Sequence, residues 1–278
     1  MTDLVPGEPL IEFKDVHIGF DEGDVLRGIS FEVFPGETKV LLGESGSGKT
    51  LIMKLGAGLL RPDSGRVWVM GHNLEEMSER DLLDFRRHVG FVFQEGALFD
   101  SITVAENVAF RLREEDIDEA TIEARVREAL RFVELEGTMD MFPGELSGGM
   151  RRRVSIARAL VDRPPLVFYD SPTAGLDPVT SQTIINLILR GRDLQGATSL
   201  LATHRVQDAF GLAHFRFDGA TGRVVRTDGN GRPSAASVQT PPTSILVLRD
   251  GHIYFEGPAD DVLHSSDDYL KTFLISAE

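Results

Sequence analysis

The stretch Gly43-Glu44-Ser45-Gly46-Ser47-Gly48-Lys49-Thr50 decides the fold of this chain. The apolar run Val40-Leu41-Leu42 precedes it and a helix-like run over 51–55 follows it, which gives the order strand, glycine-rich loop, helix. This context fits the P-loop pattern, in which backbone N–H groups and a helix N-terminus converge on one anion. Lys49 supplies a cation for the β- and γ-phosphates, and the Thr50 hydroxyl is placed to bind Mg²⁺. The sequence therefore predicts a site for a nucleoside triphosphate.

Composition limits the partners that this chain can bind directly. Its 278 residues include 29 Lys and Arg against 44 Asp and Glu, a formal net charge of −15, which argues against a general role in binding nucleic acid. The chain contains no cysteine, so disulfides and thiolate metal sites are excluded and a reducing cytosol is the expected location. Charges or glycines interrupt every apolar run, so we expect any membrane crossing to belong to another chain.

The order of apolar and turn-rich segments predicts one α/β domain with a helical insert. Alternating segments at 10–18, 29–33 and 67–70 indicate an antiparallel β layer beside the P-loop core. The pattern becomes helical from Thr103 to about Phe132, and Pro143-Gly144 closes this insert. Further strands are expected at 89–93, 166–169, 198–202, 245–248 and 252–255, and further helices at 78–87, 148–160, 179–192, 259–263 and 268–275.

Residues 218–243 differ in composition from the rest of the chain, being rich in Gly, Pro, Ser and Thr. Val224-Val225 is expected to pair within a short hairpin, and 228–242 is predicted to be a mobile loop. A disordered surface insertion is the simplest interpretation, and contact with a partner is the alternative.

Two further motifs carry chemistry. The apolar run Leu166-Val167-Phe168-Tyr169 ends at Asp170, as in the Walker B arrangement, where a carboxylate at a strand tip holds Mg²⁺. Upstream, Leu146-Ser147-Gly148-Gly149-Met150 stands at a helix start and resembles the LSGGQ signature of ABC-type ATPases. The order P-loop, Gln94, signature, Walker B, 174–177 and His204 is similar to that family over about residues 10–257.

The resemblance implies a fold and a set of ligands. The fold is α/β, a P-loop NTPase of the ABC type over 9–278, with a RecA-like core, an antiparallel β subdomain, a helical subdomain at approximately 95–160 and the insertion at approximately 218–243. The ligands are ATP and Mg²⁺. The implied ATP-binding residues are Phe20, Gly43, Glu44, Ser45, Gly46, Ser47, Gly48, Lys49, Thr50, Ser147, Gly148, Gly149 and Asp177. The implied Mg²⁺ ligands are Thr50, Gln94 and Asp170.

Several of these residues have a specific role in the family that the sequence resembles. Phe20 matches an aromatic that stacks on adenine, although taken alone it is better interpreted as a core residue. Ser147 and Gly149 would contact the γ-phosphate of ATP bound to a second copy, which implies a head-to-tail homodimer. Asp177 matches the loop that communicates across that dimer. His204 matches a histidine that hydrogen-bonds the γ-phosphate.

The expected catalytic residues are His204, Gln94, Asp170 and Ser171, and the last of these is degenerate. The family has Glu after the Walker B Asp, where it orients or deprotonates the attacking water, whereas a serine hydroxyl is not basic at neutral pH. Turnover is therefore expected to be slow, to rely on His204 and positioning, or to use another carboxylate such as Glu95. Met150 replaces the usual signature Gln, which leaves the phosphate contacts of Ser147 and Gly149 intact.

Three segments, 94–104, 146–153 and 170–178, are similar to the ATPases of Mce/Mla-type phospholipid transporters. That resemblance implies a separate integral-membrane permease, which docks a short helix in a groove at roughly 94–135, and a lipid-binding protein with an Mce domain. The ATPase would then be peripheral on the cytoplasmic face of the inner membrane. Taken alone, the run Arg151 to Arg153 indicates a solvated helix face.

Alternative functions share the nucleotide motifs. One is the ATPase of an importer for amino acids or other small solutes, and another is a regulatory nucleotide-binding module with little turnover. A soluble ABC protein that acts on DNA or ribosomes is disfavoured, because the chain lacks a long coiled coil and a second ATPase domain and is acidic.

Overall fold

A computed structural model describes residues 7–21, 23–227 and 243–276 of the chain. The loop predicted at 228–242 lies outside the described residues. The strands are β1 (Ile11–Phe20), β2 (Gly23–Val33), β3 (Thr38–Gly43), β4 (Ser64–Val69), β5 (His72–Asn73), β6 (Val89–Val92), β7 (Leu166–Asp170), β8 (Thr198–Thr203), β9 (Phe215–Asp218), β10 (Arg223–Arg226), β11 (Thr243–Arg249) and β12 (His252–Pro258). The α-helices are α1 (Lys49–Gly56), α2 (Glu79–Arg86), α3 (Val104–Ala109), α4 (Glu119–Phe132), α5 (Gly148–Leu160), α6 (Pro178–Gln195), α7 (Val206–His214), α8 (Ala259–Leu263) and α9 (Asp268–Ser276).

The central sheet has the strand order β12-β11-β3-β8-β7-β6. Neighbouring strands of this sheet pair in parallel, except that β12 pairs with β11 in the antiparallel direction. Strands β3, β7 and β8 are buried along their whole length, as expected of parallel strands covered on both faces. The carboxyl ends of β3, β8, β7 and β6 therefore meet at one edge of the sheet, where ligands commonly bind in such folds.

The predicted antiparallel layer is confirmed as a second sheet with the order β2-β1-β4-β5. Its inner face includes Phe13 and Phe31, whose rings stack with centroids 4.7 Å apart. Helix α1 packs closely on the central sheet at Gly56, where an added Cβ would lie only 3.0 Å from the ring of Phe168. This packing fixes the direction in which the P-loop enters α1.

The helical insert is built from α3, α4 and α5, whose buried apolar faces share one core. The single helical pattern predicted from Thr103 to Phe132 is wrong in one respect, because a short 3-10 turn at Leu112–Glu114 separates two helices. Each helix has its own start signal: Thr103 and Glu106 form a capping box, and the Asp118 side chain accepts from the Thr121 N–H at 3.0 Å. Within the described residues, no helix is long and apolar enough to cross a membrane.

The predicted hairpin around Val224-Val225 is confirmed, with β9 as its other strand. A buried guanidinium attaches it to the core: Arg192, at the end of α6, donates to Leu212 O at 2.8 Å and to Phe215 O at 3.0 Å. Its Nε donates to Asp193 Oδ1 at 2.7 Å, and only 1% of the Arg192 side chain is exposed. Residues from α6, α7 and the hairpin are therefore fixed by one side chain.

Candidate active site

The P-loop follows β3 at the sheet edge where the five parallel strands of the central sheet end. Gly48 precedes α1 with φ 97°, a left-handed conformation that favours glycine. A Cβ at this position would lie 2.4 Å from Leu26 Cδ2, so close packing against the antiparallel layer also requires glycine. At Gly43 a Cβ would lie 2.7 Å from the carbonyl oxygen of Leu248. These two positions explain why the loop can lie flat against the sheet.

Lys49 is nearly buried, with 8% of its surface exposed, and its ammonium is held inside the loop. Nζ donates to Gly43 O at 2.8 Å, to Glu44 O at 2.7 Å and to Ser47 Oγ at 3.2 Å. Burial lowers the pKa of Lys49, while the charges of Asp170 and Glu44 oppose that shift. The three acceptors are weaker partners than phosphate oxygens, so the ammonium can exchange them for an anionic ligand.

Asp170 and Thr50 come together as the sequence predicted. The Thr50 hydroxyl, in α1, donates to Asp170 Oδ1, at the end of β7, over 3.3 Å. The described residues contain no group of three or more His, Cys, Asp or Glu side chains that could hold a metal. One carboxylate with a hydroxyl fits Mg²⁺, which keeps waters and takes phosphate oxygens as further ligands. Gln94 is exposed, two residues beyond the end of β6 beside β7.

Ser171 lies next to this oxygen pair. Its φ is 46°, an uncommon conformation for a non-glycine residue and one that is often found at functional sites. Its N–H donates to Ala202 O at 2.8 Å, and its hydroxyl donates to Asp170 Oδ1 at 3.3 Å. His204 follows the end of β8 and is exposed. The backbone thus places the side chain of residue 171 beside Asp170, but serine supplies no carboxylate there.

The glycine-rich segment at 147–149 forms the start of α5. Ser147 caps this helix, since its Oγ accepts from the Met150 N–H at 3.2 Å, and Ser147 is exposed. A Cβ at Gly149 would lie 2.5 Å from Thr180 Cγ2, so glycine is required for the approach of α5 to α6. Among the described residues, no hydrogen bond joins this segment to 43–50 of the same chain.

Asp177 caps the N-terminus of α6. Its Oδ1 accepts from the N–H groups of Val179 and Thr180, both at 3.0 Å, and its Oδ2 accepts from the Thr180 hydroxyl at 2.5 Å. These hydrogen bonds lower the pKa of Asp177. Phe20, at the end of β1, is 57% exposed. The interpretation as a core residue is therefore wrong, and the ring is available to a ligand.

The interpretation of Arg151 to Arg153 as a solvated face is also wrong. Each of the three guanidinium groups donates to a backbone carbonyl, and Arg152 is 7% exposed. Arg152 bridges two loops, with Nη1 2.9 Å from Phe93 O and Nη2 3.4 Å from Ala174 O. The acceptors are distant in the sequence, so the local charge pattern could not indicate them.

Sequence reasoning also missed α7 and its buried Asp208, which is 3% exposed. The hydroxyl of Thr203 donates to Asp208 Oδ2 at 2.9 Å, and the hydroxyl of Thr173 donates to the same oxygen. The available signal was an acidic residue one helical turn after His204, beside an apolar run.

Comparison with known proteins gives four results. Residues 26–174 match the family model described as "ABC transporter". The cell division ATP-binding protein FtsE of Streptococcus pneumoniae is 40% identical over 223 residues, 80% of this chain and 96% of that protein. The intermembrane phospholipid transport system ATP-binding protein MlaF of Haemophilus influenzae is 34% identical over 256 residues, 91% of this chain and 96% of that protein. A dimeric post-hydrolysis structure of the ATP-binding cassette MJ0796 bound to ADP and Pi matches with a TM-score of 0.73 and 26% identity, over 90% of this chain and 98% of that one.

Proposed function

This chain belongs to the ABC transporter family and is an ABC-type ATPase, and from that premise we propose that it powers the movement of phospholipid between membranes. The observation that carries the proposal is the match to MlaF along nearly the whole of both chains. The higher identity to FtsE favours a second candidate, a role in cell division. The two candidates share the nucleotide chemistry and differ in the membrane partner and the cargo.

ATP binding is proposed to use the residues gathered at the sheet edge. Lys49 binds the β- and γ-phosphates, and the P-loop N–H groups surround them. Thr50, Asp170 and Gln94 would hold Mg²⁺, which would neutralise phosphate charge. The exposed ring of Phe20 stacks on the adenine. His204 hydrogen-bonds the γ-phosphate from the end of β8.

The site is proposed to be completed by a second copy of the chain. Ser147 and Gly149 present a capped helix N-terminus, which suits a phosphate. Within their own chain, Ser147 Oγ accepts from the Met150 N–H of the same helix, and Gly149 packs against Thr180 of α6. A head-to-tail homodimer would place them over the partner's ATP. The dimeric form of MJ0796 supports this arrangement. ATP would close the dimer, and hydrolysis would reopen it.

A permease is proposed to dock beside Gln94, which would locate the chain on the cytoplasmic face of the inner membrane. Phe99 and Phe110 are 44% and 46% exposed, and their ring centroids lie 4.6 Å apart. Arg158 supports the floor of this groove, with guanidinium nitrogens 2.9 Å from Gly96 O and 2.8 Å from Ala97 O. An exposed aromatic pair, with one ring on this loop and the other at the end of α3, suits the apolar side of a short helix.

The Phe99→Ala/Phe110→Ala double variant is expected to lower permease binding by about tenfold or more, because central aromatic contacts dominate interfaces. Co-purification of the permease with tagged chains measures this, and ATP binding serves as the check on folding. Phe34→Ala is the control, since Phe34 is 42% exposed on a different surface. Undiminished permease binding by the double variant would contradict the docking groove.

The cargo is tested by reconstitution with the permease and the Mce-domain protein expected to accompany it. ATP-dependent transfer of labelled phospholipid between vesicles is the expected result, and it should require both the ATPase and Mg²⁺. Uptake of a small solute without lipid transfer would establish the importer alternative. If the chain binds a permease but no lipid is transferred, and if depletion of the chain impairs cell division, the role in cell division would be favoured.

Ser171→Glu is expected to raise turnover by about tenfold or more, because a carboxylate can orient and deprotonate the attacking water. The backbone at Ser171 already has positive φ, so the substitution adds no new backbone strain. Phosphate release at saturating ATP measures the effect. Ser171→Gln is the matched control, similar in size but without a basic group, and equal rates for the two variants would reject the role of the carboxylate.

A further inference from the structure

Asp208 is a buried carboxylate that the nucleotide motifs do not explain. It lies in the first turn of α7, where acidic residues commonly stabilise a helix N-terminus. However, α7 has no side-chain cap hydrogen bond, and the Oδ2 atom of Asp208 instead accepts from the hydroxyls of Thr203, at 2.9 Å, and Thr173. Helix capping therefore does not account for this side chain.

The two threonines belong to the two segments that carry the proposed catalytic positions. Thr173 lies two residues after Ser171, and Thr203 directly precedes His204. A backbone hydrogen bond of 2.8 Å, from the Ser171 N–H to the Ala202 carbonyl of β8, also joins these two segments. The carboxylate of Asp208 thus sets the spacing between the turn after β7 and the loop after β8.

Arg205 extends this network to α6. Its Nε lies 3.7 Å from Asp208 Oδ1, and its Nη1 donates to Ser181 Oγ at 2.9 Å. Its backbone N–H donates to Thr203 Oγ1 at 3.0 Å, so the same hydroxyl connects α7, β8 and the loop that carries His204. Three elements around the site are therefore fixed relative to one another.

Holding a carboxylate in this place costs stability. Burial raises the pKa of Asp208, while the hydrogen bonds from the two threonines and the charges of Arg205 and His204 oppose that rise. An apolar pair of similar volume would often join buried segments at lower cost. The position of this network beside the catalytic residues favours a role in geometry over a role in packing.

We propose that Asp208 is a positioning residue for ATP hydrolysis, which fixes the Ser171 turn and the His204 loop at the spacing that the reaction needs. The inference rests on the role proposed above for His204. Because Ser171 supplies no base, the attacking water depends on the placement of the remaining groups. A displacement of about 1 Å can cost about a hundredfold in rate.

The test compares Asp208→Ala with Asp208→Asn in the full-length chain. We expect Asp208→Ala to lower kcat by about tenfold to a hundredfold, with the dissociation constant for ATP changed by less than about threefold. Asparagine keeps an oxygen for both threonine hydroxyls, so Asp208→Asn should retain kcat within about threefold. Unchanged kcat in Asp208→Ala, equal losses in both variants, or a parallel loss of ATP binding would each overturn the proposal.

Thr173→Val provides a second route if Asp208→Ala does not fold, since it removes one hydroxyl from the network at nearly constant shape. It should lower kcat and spare ATP binding, and an unchanged kcat would overturn the proposal. Where Asp208→Ala does fold, the two effects should not add, and additive effects would also overturn the proposal. His204→Ala is measured in parallel. If it leaves turnover intact, the role of His204 fails, whereas a loss there without a loss in Asp208→Ala or Thr173→Val overturns only the role of Asp208.

Discussion

Lys49→Ala is expected to lower ATP turnover by about a hundredfold or more, because it removes the positive charge aimed at the transferring phosphate. The nearly buried ammonium already lies within hydrogen-bond distance of three P-loop oxygens, so little rearrangement separates it from a ligand. Phosphate release measures turnover, and a fluorescent ATP analogue measures binding. Both should fall.

Lys54→Ala is the matched control for that substitution. Lys54 lies on the same helix, α1, and is partly exposed near its end, away from the P-loop. Turnover of this variant should stay within about twofold of the unmodified chain, as for a surface change outside the site. Equal turnover in the Lys49 and Lys54 variants would contradict the proposed nucleotide site.

Arg192→Ala is expected to lower the free energy of unfolding by about 3–5 kcal/mol, because breaking a buried ion pair leaves an uncompensated charge. Asp193 would lose its ion-pair partner and, among the described residues, keep only the N–H of Phe217 as a donor. The carbonyls of Leu212 and Phe215 would lose a charged donor. Urea unfolding followed by circular dichroism measures the change. The hairpin β9–β10 should become more accessible to protease at the same time, since Arg192 holds its first strand.

Arg163→Ala is the control for the loss of an arginine. Its ion pair with Glu128 is formed by side chains that are 65% and 66% exposed. Exposed pairs contribute about 1 kcal/mol or less, so stability should hardly change. Similar losses in both arginine variants would show that the buried network around Arg192 has no special weight.

Features set by neighbouring residues could be predicted from the sequence, whereas features set by contacts distant in the sequence could not. The P-loop, the strand ending at Asp170 and the helix predicted at 78–87 are local patterns, and the structure contains all three. Helix α7 was missed because its N-cap residue, Arg205, makes no side-chain cap hydrogen bond and so leaves no start signal. Asp208 was missed for a related reason, since Thr173, one of its two partners, is 35 positions away.

The bridge made by Arg152 has a consequence for how this site can change over evolutionary time. Its guanidinium donates hydrogen bonds to the main-chain oxygens of Phe93 and Ala174 rather than to side chains. Side chains at these two positions can therefore be exchanged without cutting the connection, provided that the backbone path stays the same. Arg158, on the same helix, adds hydrogen bonds to Gly96 O and Ala97 O of the first loop. Helix α5 is therefore attached to these loops through main-chain oxygens, which leaves the side chains of the loops free to differ where the membrane partner differs.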